Sequence, residues 1–501
     1  SIVGPFSKAS IGKRNTGFVI GGTAWYRKAF KTQKDDLGKT VYLQFDGVYQ
    51  NSDVWINGYH LGNHPYGYTS FYYDLTPYLK PVGKDNIVAV QVKNEGENSR
   101  WYSGSGIYRH VWLIKVNPIH VDMWGVYVTT PKVSKSSADV QVLVTVKNTG
   151  KETAAVSVQT QLIEANGKVV GSTKSKIEVQ AGEKSDAKQV ITIKQPKLWS
   201  TQEPNLYKAK VTVLMNDKET DNVNTTFGVR EVKIDPDRGL LINGVSVKLK
   251  GGCIHHDYGP LGAAALDRAE ERKIELLKAN GYNAIRTSHN PPSPLFLDIC
   301  DRLGMLVVDE AFDVWNKPKN PDDYHLYFKE WWNKDLTSMI RRDRNHPSVI
   351  IWSIGNEVPE RGDSLGEQTR KMLVQRVREL DNTRKVTEAI CIFKEWHKTT
   401  PAFFTTLDVV GYNYLPDYYE KDRLKAPRLV AMATESLPKD ILYYWDKVEK
   451  LPYVIGDFVW TAMDYLGEAG LGAPIDGSWG KWPWMNAFCG DLDLVGNKKP
   501  Q

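Results

Sequence analysis

Two glutamates stand where chemistry could be done. Glu357 ends a mostly apolar run, residues 348–354, that reads as a buried strand and breaks off at Gly355-Asn356-Glu357. Glu435 follows a second such run, 429–433, in Ala433-Thr434-Glu435-Ser436. Two carboxyl groups beside one anomeric carbon are what glycoside hydrolysis needs. One protonates the departing oxygen, and the other attacks carbon to form a covalent intermediate when the two lie ~5–5.5 Å apart. On a surface the same residues would be helix caps or salt-bridge partners, so their setting at strand ends is what singles them out.

Their neighbours suggest matching roles. Asn356 could hydrogen-bond a sugar hydroxyl next to the reacting carbon, a contact that strengthens in the transition state. Arg286 and Tyr414 could hold Glu435 ionised, which favours a nucleophile over an acid. Trp460 offers a stacking floor for a sugar ring. His289 and Asp257 are candidates for hydroxyl recognition, and His255, His256 and Asp257 carry metal ligation as an alternative reading. Asp309 and Glu310 are a rival carboxylate pair. Adjacent strand residues point opposite ways, so one of them at most should face the site, holding His289 or Arg286.

Such residues converge only if a fold gathers them. From 232 to 501 the chain alternates strands with helices. Strands are expected at 247–253, 284–287, 305–308, 349–353, 386–390, 409–412, 429–433 and 453–460, with helices clearest at 264–279, 327–341, 365–380 and 440–447. That pattern predicts a (β/α)8 TIM barrel, whose chemistry sits at the C-terminal ends of its strands. No Gly-rich dinucleotide or phosphate loop follows any strand. Residues 1–116 read as a jelly-roll β-sandwich and 117–231 as an immunoglobulin-like β-sandwich, which makes the chain multidomain. Within the first, residues 101–109 form a Gly- and Ser-rich loop leading into a strand.

Composition excludes several classes. The 501 residues are too many for one ordinary core. Sixty-five basic and 59 acidic residues are mixed along the chain, giving +6 without a basic block, which argues against nucleic acid. No apolar run reaches transmembrane length, so no membrane insertion is expected. The four cysteines lack metal-site spacing and read as buried thiols. Sixteen Trp and 25 Tyr suit both sandwich cores and sugar rings. The chain starts at Ser1 without Met and stops at Gln501 without a closing element, so residues beyond both ends are expected.

Taken in order, these motifs resemble glycoside hydrolase family 2, the group of beta-galactosidases, beta-glucuronidases and beta-mannosidases. Residues 23–28 and 101–109 look like its sugar-binding sandwich, and Trp352-Ser353-Ile354-Gly355-Asn356-Glu357 looks like its acid/base motif. The resemblance implies a retaining, exo-acting β-glycosidase with Glu357 as acid/base, Glu435 as nucleophile and Asn356, His289, Tyr414 and Trp460 in the pocket. It implies an oligosaccharide or glycoconjugate substrate with a terminal β-linked sugar, a homo-oligomer as a common state, and an exported, periplasmic or secreted, setting. His255-His256-Asp257-Tyr258 departs from the His-Glu-His run of magnesium-dependent galactosidases, so no cofactor is expected to be required, with magnesium as the alternative. Asn497-Lys498-Lys499-Pro500 resembles the Asn-x-Lys-Gly element that grips a glucuronide carboxylate, but with Pro for Gly. Galactoside is therefore the first expectation, with glucuronide or another β-glycoside as alternatives. A carbohydrate-binding protein on an inactive barrel is the reading from a different class.

Overall fold

In the computed structural model, which describes residues 5–394, 396, 401–472 and 480–500, eight parallel strands close on one another in chain order. They are β1 (Leu249–Ile254), β2 (Ala284–Thr287), β3 (Leu306–Glu310), β4 (Val349–Asn356), β5 (Lys385–Ile390), β6 (Val410–Asn413), β7 (Ala431–Ser436) and β8 (Val454–Val459). Every residue of β4 is buried, as expected of a parallel strand covered on both faces. The helices are α1 (Asp267–Ala279), α2 (Pro294–Leu303), α3 (His325–Asp343), α4 (Ser364–Leu380), α5 (Pro401–Thr406), α6 (Tyr419–Lys425) and α7 (Ile441–Lys450).

Several strands run further than hydrophobicity suggested. β3 continues to Glu310, β4 to Asn356, β6 to Asn413 and β7 to Ser436. The parallel ladder pairs Glu310 with Ser353, Asn356 with Ala389, Asn413 with Glu435 and Ser436 with Val459. Ladder hydrogen bonds depend on backbone, so they persist after the side chains turn polar. The residues expected in loops are thereby held on the sheet itself. Helix α2 was not anticipated from periodicity. Ser293 caps it by accepting from Phe296 N at 3.0 Å, Pro294 occupies its first turn, and Gly304 ends it at φ 69°.

Ahead of the first barrel strand, residues 232–246 form a three-stranded antiparallel sheet, Val232–Asp235, Gly239–Ile242 and Val245–Ser246. Leu240 and Ile242 belong to the same hydrophobic cluster as the barrel strands.

The amino-terminal sandwich pairs a four-stranded with a three-stranded sheet over Val41, Phe45, Val54 and Val90. The second sandwich has three strands against four, and along Ser137–Asn148 the valines 140, 142, 144 and 146 are buried in alternation. Both dock on the barrel. Tyr66 donates its hydroxyl to Ala311 O at 2.5 Å, and Tyr127 donates to Asp381 Oδ1 at 2.7 Å. The outer bounds expected for the first and last domains, 1 and 501, lie outside the described residues.

Candidate active site

Arg286, in the middle of β2 and fully buried, organises the barrel mouth. Its Nη1 donates to Glu435 Oε1 at 2.9 Å, its Nη2 to Asn356 Oδ1 at 2.9 Å, and its Nε and Nη2 to the two oxygens of Glu310 at 2.9 and 2.8 Å. Glu310 also accepts from His289 Nδ1 at 2.7 Å and Ser353 Oγ at 2.6 Å. Asp309 faces the other way, where burial and the neighbouring Asp343 drive its carboxyl far above the usual range. Strand alternation thus puts one of this pair in the site.

Glu435 is 4 % exposed. Burial and the charge of Glu357 push its carboxyl up to about 7, against the pull of Arg286 and Tyr414. Tyr414 donates its hydroxyl to Glu435 Oε2 at 2.7 Å. Glu357 is less buried, and its Oε1 accepts from Asn413 Nδ2 at 2.9 Å. Asn413 is held in that orientation because its own Oδ1 accepts from the Thr434 hydroxyl at 2.6 Å. The charge of Glu357 thus bears on Glu435 across the barrel mouth.

Local backbone follows from packing. Glu357 and Tyr414 have φ of 42° and 61°, a conformation that side-chain-bearing residues avoid unless the surroundings impose it. The residue before Asn356 is glycine because a Cβ there would lie 2.7 Å from the Trp315 ring, which donates Nε1 to Ile354 O.

His289 stacks on Trp460 with centroids 5.1 Å apart and an interplanar angle of 1°. Burial and Arg286 hold His289 well below its ordinary basicity, so it is neutral. With Nδ1–H directed to Glu310, Nε2 is left as an acceptor. Trp460 is buried against His289 and edge-on to His255 and Tyr465, so it walls the site more than it floors it.

Asp257 stands apart from this network. Its carboxylate accepts from Leu466 N and Gly259 N, each at 3.3 Å, and braces the segment after β8. His255 lies between the rings of Trp101 and Tyr465, and His256 Nε2 meets Ser103 O at 3.0 Å. Their ligand atoms do not gather with those of Asp257 as a metal site would, so these residues do not fit a bound magnesium. Among the described residues, ligand atoms come together at Asp298, Asp301 and His346. There His346 Nδ1 lies 2.6 Å from Asp301, which outweighs burial and raises the imidazole to about 9.

Four contributors were not anticipated: Arg100, Asp313, Lys319 and Glu468. Arg100 comes from the first sandwich and pairs with Asp313 at 2.8 Å and Glu468 at 3.1 Å. Its neighbour Trp101 lies 5.5 Å from His289. The signals available were the unusual loop beginning at Trp101 and the position of Asp313 just beyond the carboxylates ending β3.

Comparison with known proteins agrees with this architecture. Residues 232–463 match the profile described as glycosyl hydrolases family 2, TIM barrel domain, residues 119–230 match glycosyl hydrolases family 2, and 13–118 match its sugar binding domain. The chain is similar to beta-galactosidase BoGH2A of Bacteroides ovatus, with 39% identity over all of this chain and 66% of the relative. It is 38% identical to a putative beta-glucuronidase of Formosa agariphila over 96% of this chain and 49% of that one. Among solved structures, a glycosyl hydrolase family 2 member from Bacteroides cellulosilyticus superposes with TM-score 0.95 at 45% identity, covering 99% of this chain and 64% of that one. A beta-glycosidase from Bacteroides vulgatus gives 0.86 at 33%, covering 100% and 68%. The chain thus spans about half to two thirds of the length of these proteins. Among the described residues, no helix is long and apolar enough to cross a membrane.

Proposed function

The chain belongs to glycoside hydrolase family 2, and from that premise we propose that it is a retaining, exo-acting β-glycosidase that hydrolyses terminal β-linked galactosides. The observation that carries this reading is the unequal treatment of two coupled carboxyls. Glu435 receives Arg286 and the Tyr414 hydroxyl, while Glu357 receives the Asn413 amide. Two donors, one of them cationic, stabilise a negative charge on Glu435. That environment suits Glu435 to attack carbon and leaves Glu357 to give and take the proton.

In the reaction this predicts, Glu435 attacks the anomeric carbon while Glu357 protonates the leaving oxygen, giving a covalent glycosyl-enzyme. Glu357, now a carboxylate, takes a proton from water as that water attacks the same carbon, and Glu435 departs. Configuration is inverted twice and so retained. Asn356 and His289 Nε2 supply hydrogen bonds to ring hydroxyls.

Galactoside is favoured over glucuronide by the state of the terminal lysine. Lys499 Nζ donates to Asp464 Oδ1 at 2.7 Å and Phe488 O at 2.6 Å, and Asn497 is bonded to Asp493. That ammonium is already neutralised, which leaves it poorly suited to grip a uronic-acid carboxylate. A panel of chromogenic β-glycosides, read together with the anomeric configuration of the first product, tests both points. Hydrolysis of the galactoside with retention is expected. Preference for the glucuronide would overturn the substrate, and inversion would overturn the mechanism.

A further inference from the structure

We propose that Arg100, a residue of the amino-terminal sandwich, is a positioning residue for the barrel's reaction, acting through Asp313 to set the roll of the Asn356 amide. The inference rests on the β-glycosidase reading, in which that amide meets the sugar hydroxyl beside the reacting carbon.

Arg100 forks onto Asp313, with Nε to Oδ2 at 3.0 Å and Nη2 to Oδ1 at 2.8 Å. The same Oδ1 accepts from Asn356 Nδ2 at 2.9 Å. At the other end of the amide, Asn356 Oδ1 accepts from Arg286 Nη2. A guanidinium only donates and an ionised carboxylate only accepts, so these two partners leave one orientation for the Asn356 side chain. Asp313 stays ionised: although burial opposes it, Arg100 and Lys319 hold its carboxyl well below the usual range. One N–H of Asn356 is committed to Asp313, and the other is left for substrate.

The chain of contacts crosses a domain boundary that is firmly closed. Glu97 N donates to Asp322 Oδ2 at 2.8 Å, and Asn320 Nδ2 donates to Ser99 O at 3.1 Å. Arg100 also reaches Glu468, which lies in the segment after β8. Lys319 neutralises Asp313 as well, at 2.6 Å, but an ammonium is a point charge and does not fix the plane of a carboxylate as a two-bond fork does. Without the fork the carboxylate can turn, and the amide turns with it. The sandwich therefore contributes to the geometry of the reaction and does more than brace the barrel.

The test compares the glycoside that the panel identifies with its 2-deoxy analogue, using the full chain and Arg100→Ala, Arg100→Lys and Asn356→Ala. Misplacing a catalytic contact costs up to about 10²-fold. For both Arg100 variants, kcat/KM on the parent glycoside is expected to fall by about 10- to 10²-fold. The 2-deoxy substrate should hardly change, and Asn356→Ala should show the same pattern. Both substrates are read on one preparation, so any loss of folded protein cancels in their ratio. Equal losses on the two substrates, or no loss, would overturn the inference. A wild-type chain that hydrolyses both without preferring the 2-hydroxyl would also overturn it. A chain that hydrolyses neither overturns the β-glycosidase reading, and this inference with it.

Discussion

The Tyr414 hydroxyl donates to Glu435 Oε2 at 2.7 Å from a backbone held at φ 61°, so a residue at the end of β6 reaches the carboxylate of β7 only from a disfavoured conformation. A hydrogen bond to a charged group contributes about 1.5–3 kcal/mol. Tyr414→Phe should therefore lower kcat/KM at neutral pH by about 10- to 10²-fold. It should also raise the Glu435 carboxyl further, moving the acid limb of the pH–rate profile to higher pH. An unmoved limb would show that Tyr414 does not set the charge on Glu435.

Glu357→Gln should slow hydrolysis of an aryl β-galactoside with a poor leaving group by roughly 10² to 10⁴, the range for lost acid–base catalysis. The loss should shrink when the leaving group needs no proton. Because the charge of Glu357 helps raise Glu435, its removal should move the acid limb to lower pH and abolish the basic limb. Profiles for the two leaving groups, measured on the wild type and the variant, check all three points.

Glu435→Gln should abolish turnover, and intact-mass spectrometry should find no glycosyl-enzyme. Stability gives a second readout. The Glu435 carboxyl titrates near 7 in the folded chain, against an ordinary value of 4.5. Between those values the folded chain holds a proton that the unfolded chain has released. The stability this lends is full below about 4.5 and is lost as pH rises through about 7. Glutamine does not titrate, so the variant should gain on the wild type by up to about 1.4 kcal/mol per pH unit across that window. Parallel denaturant curves at pH 5 and pH 7.5 would contradict this.

Arg286→Met should be costly to the fold as well as to the reaction. It leaves Glu310 and Glu435 buried without their cation, and breaking a buried pair in this way costs about 3–5 kcal/mol. The urea midpoint should fall accordingly. Arg286→Lys should retain more stability and still lose activity, because an ammonium cannot serve Glu435, Asn356 and Glu310 at once.

Much of this protein was determined by its sequence alone. Apolar runs of strand length alternating with helical periods announced the barrel, and polar residues after most of those runs marked its mouth, because hydrophobic period is a local property. On that basis Glu357, Glu435, Arg286 and Tyr414 could be named from the chain alone, and Asp309 and Glu310 as a pair of which one at most should face the site. The ends of β3, β4, β6 and β7 were not legible, since backbone pairing outlasts side-chain hydrophobicity there. Nor was the part played by Arg100, which meets a carboxylate 213 residues away on another domain. No period or motif encodes such a pairing. It exists only once a sandwich has docked on a barrel and the burial of both surfaces has fixed which charges face each other.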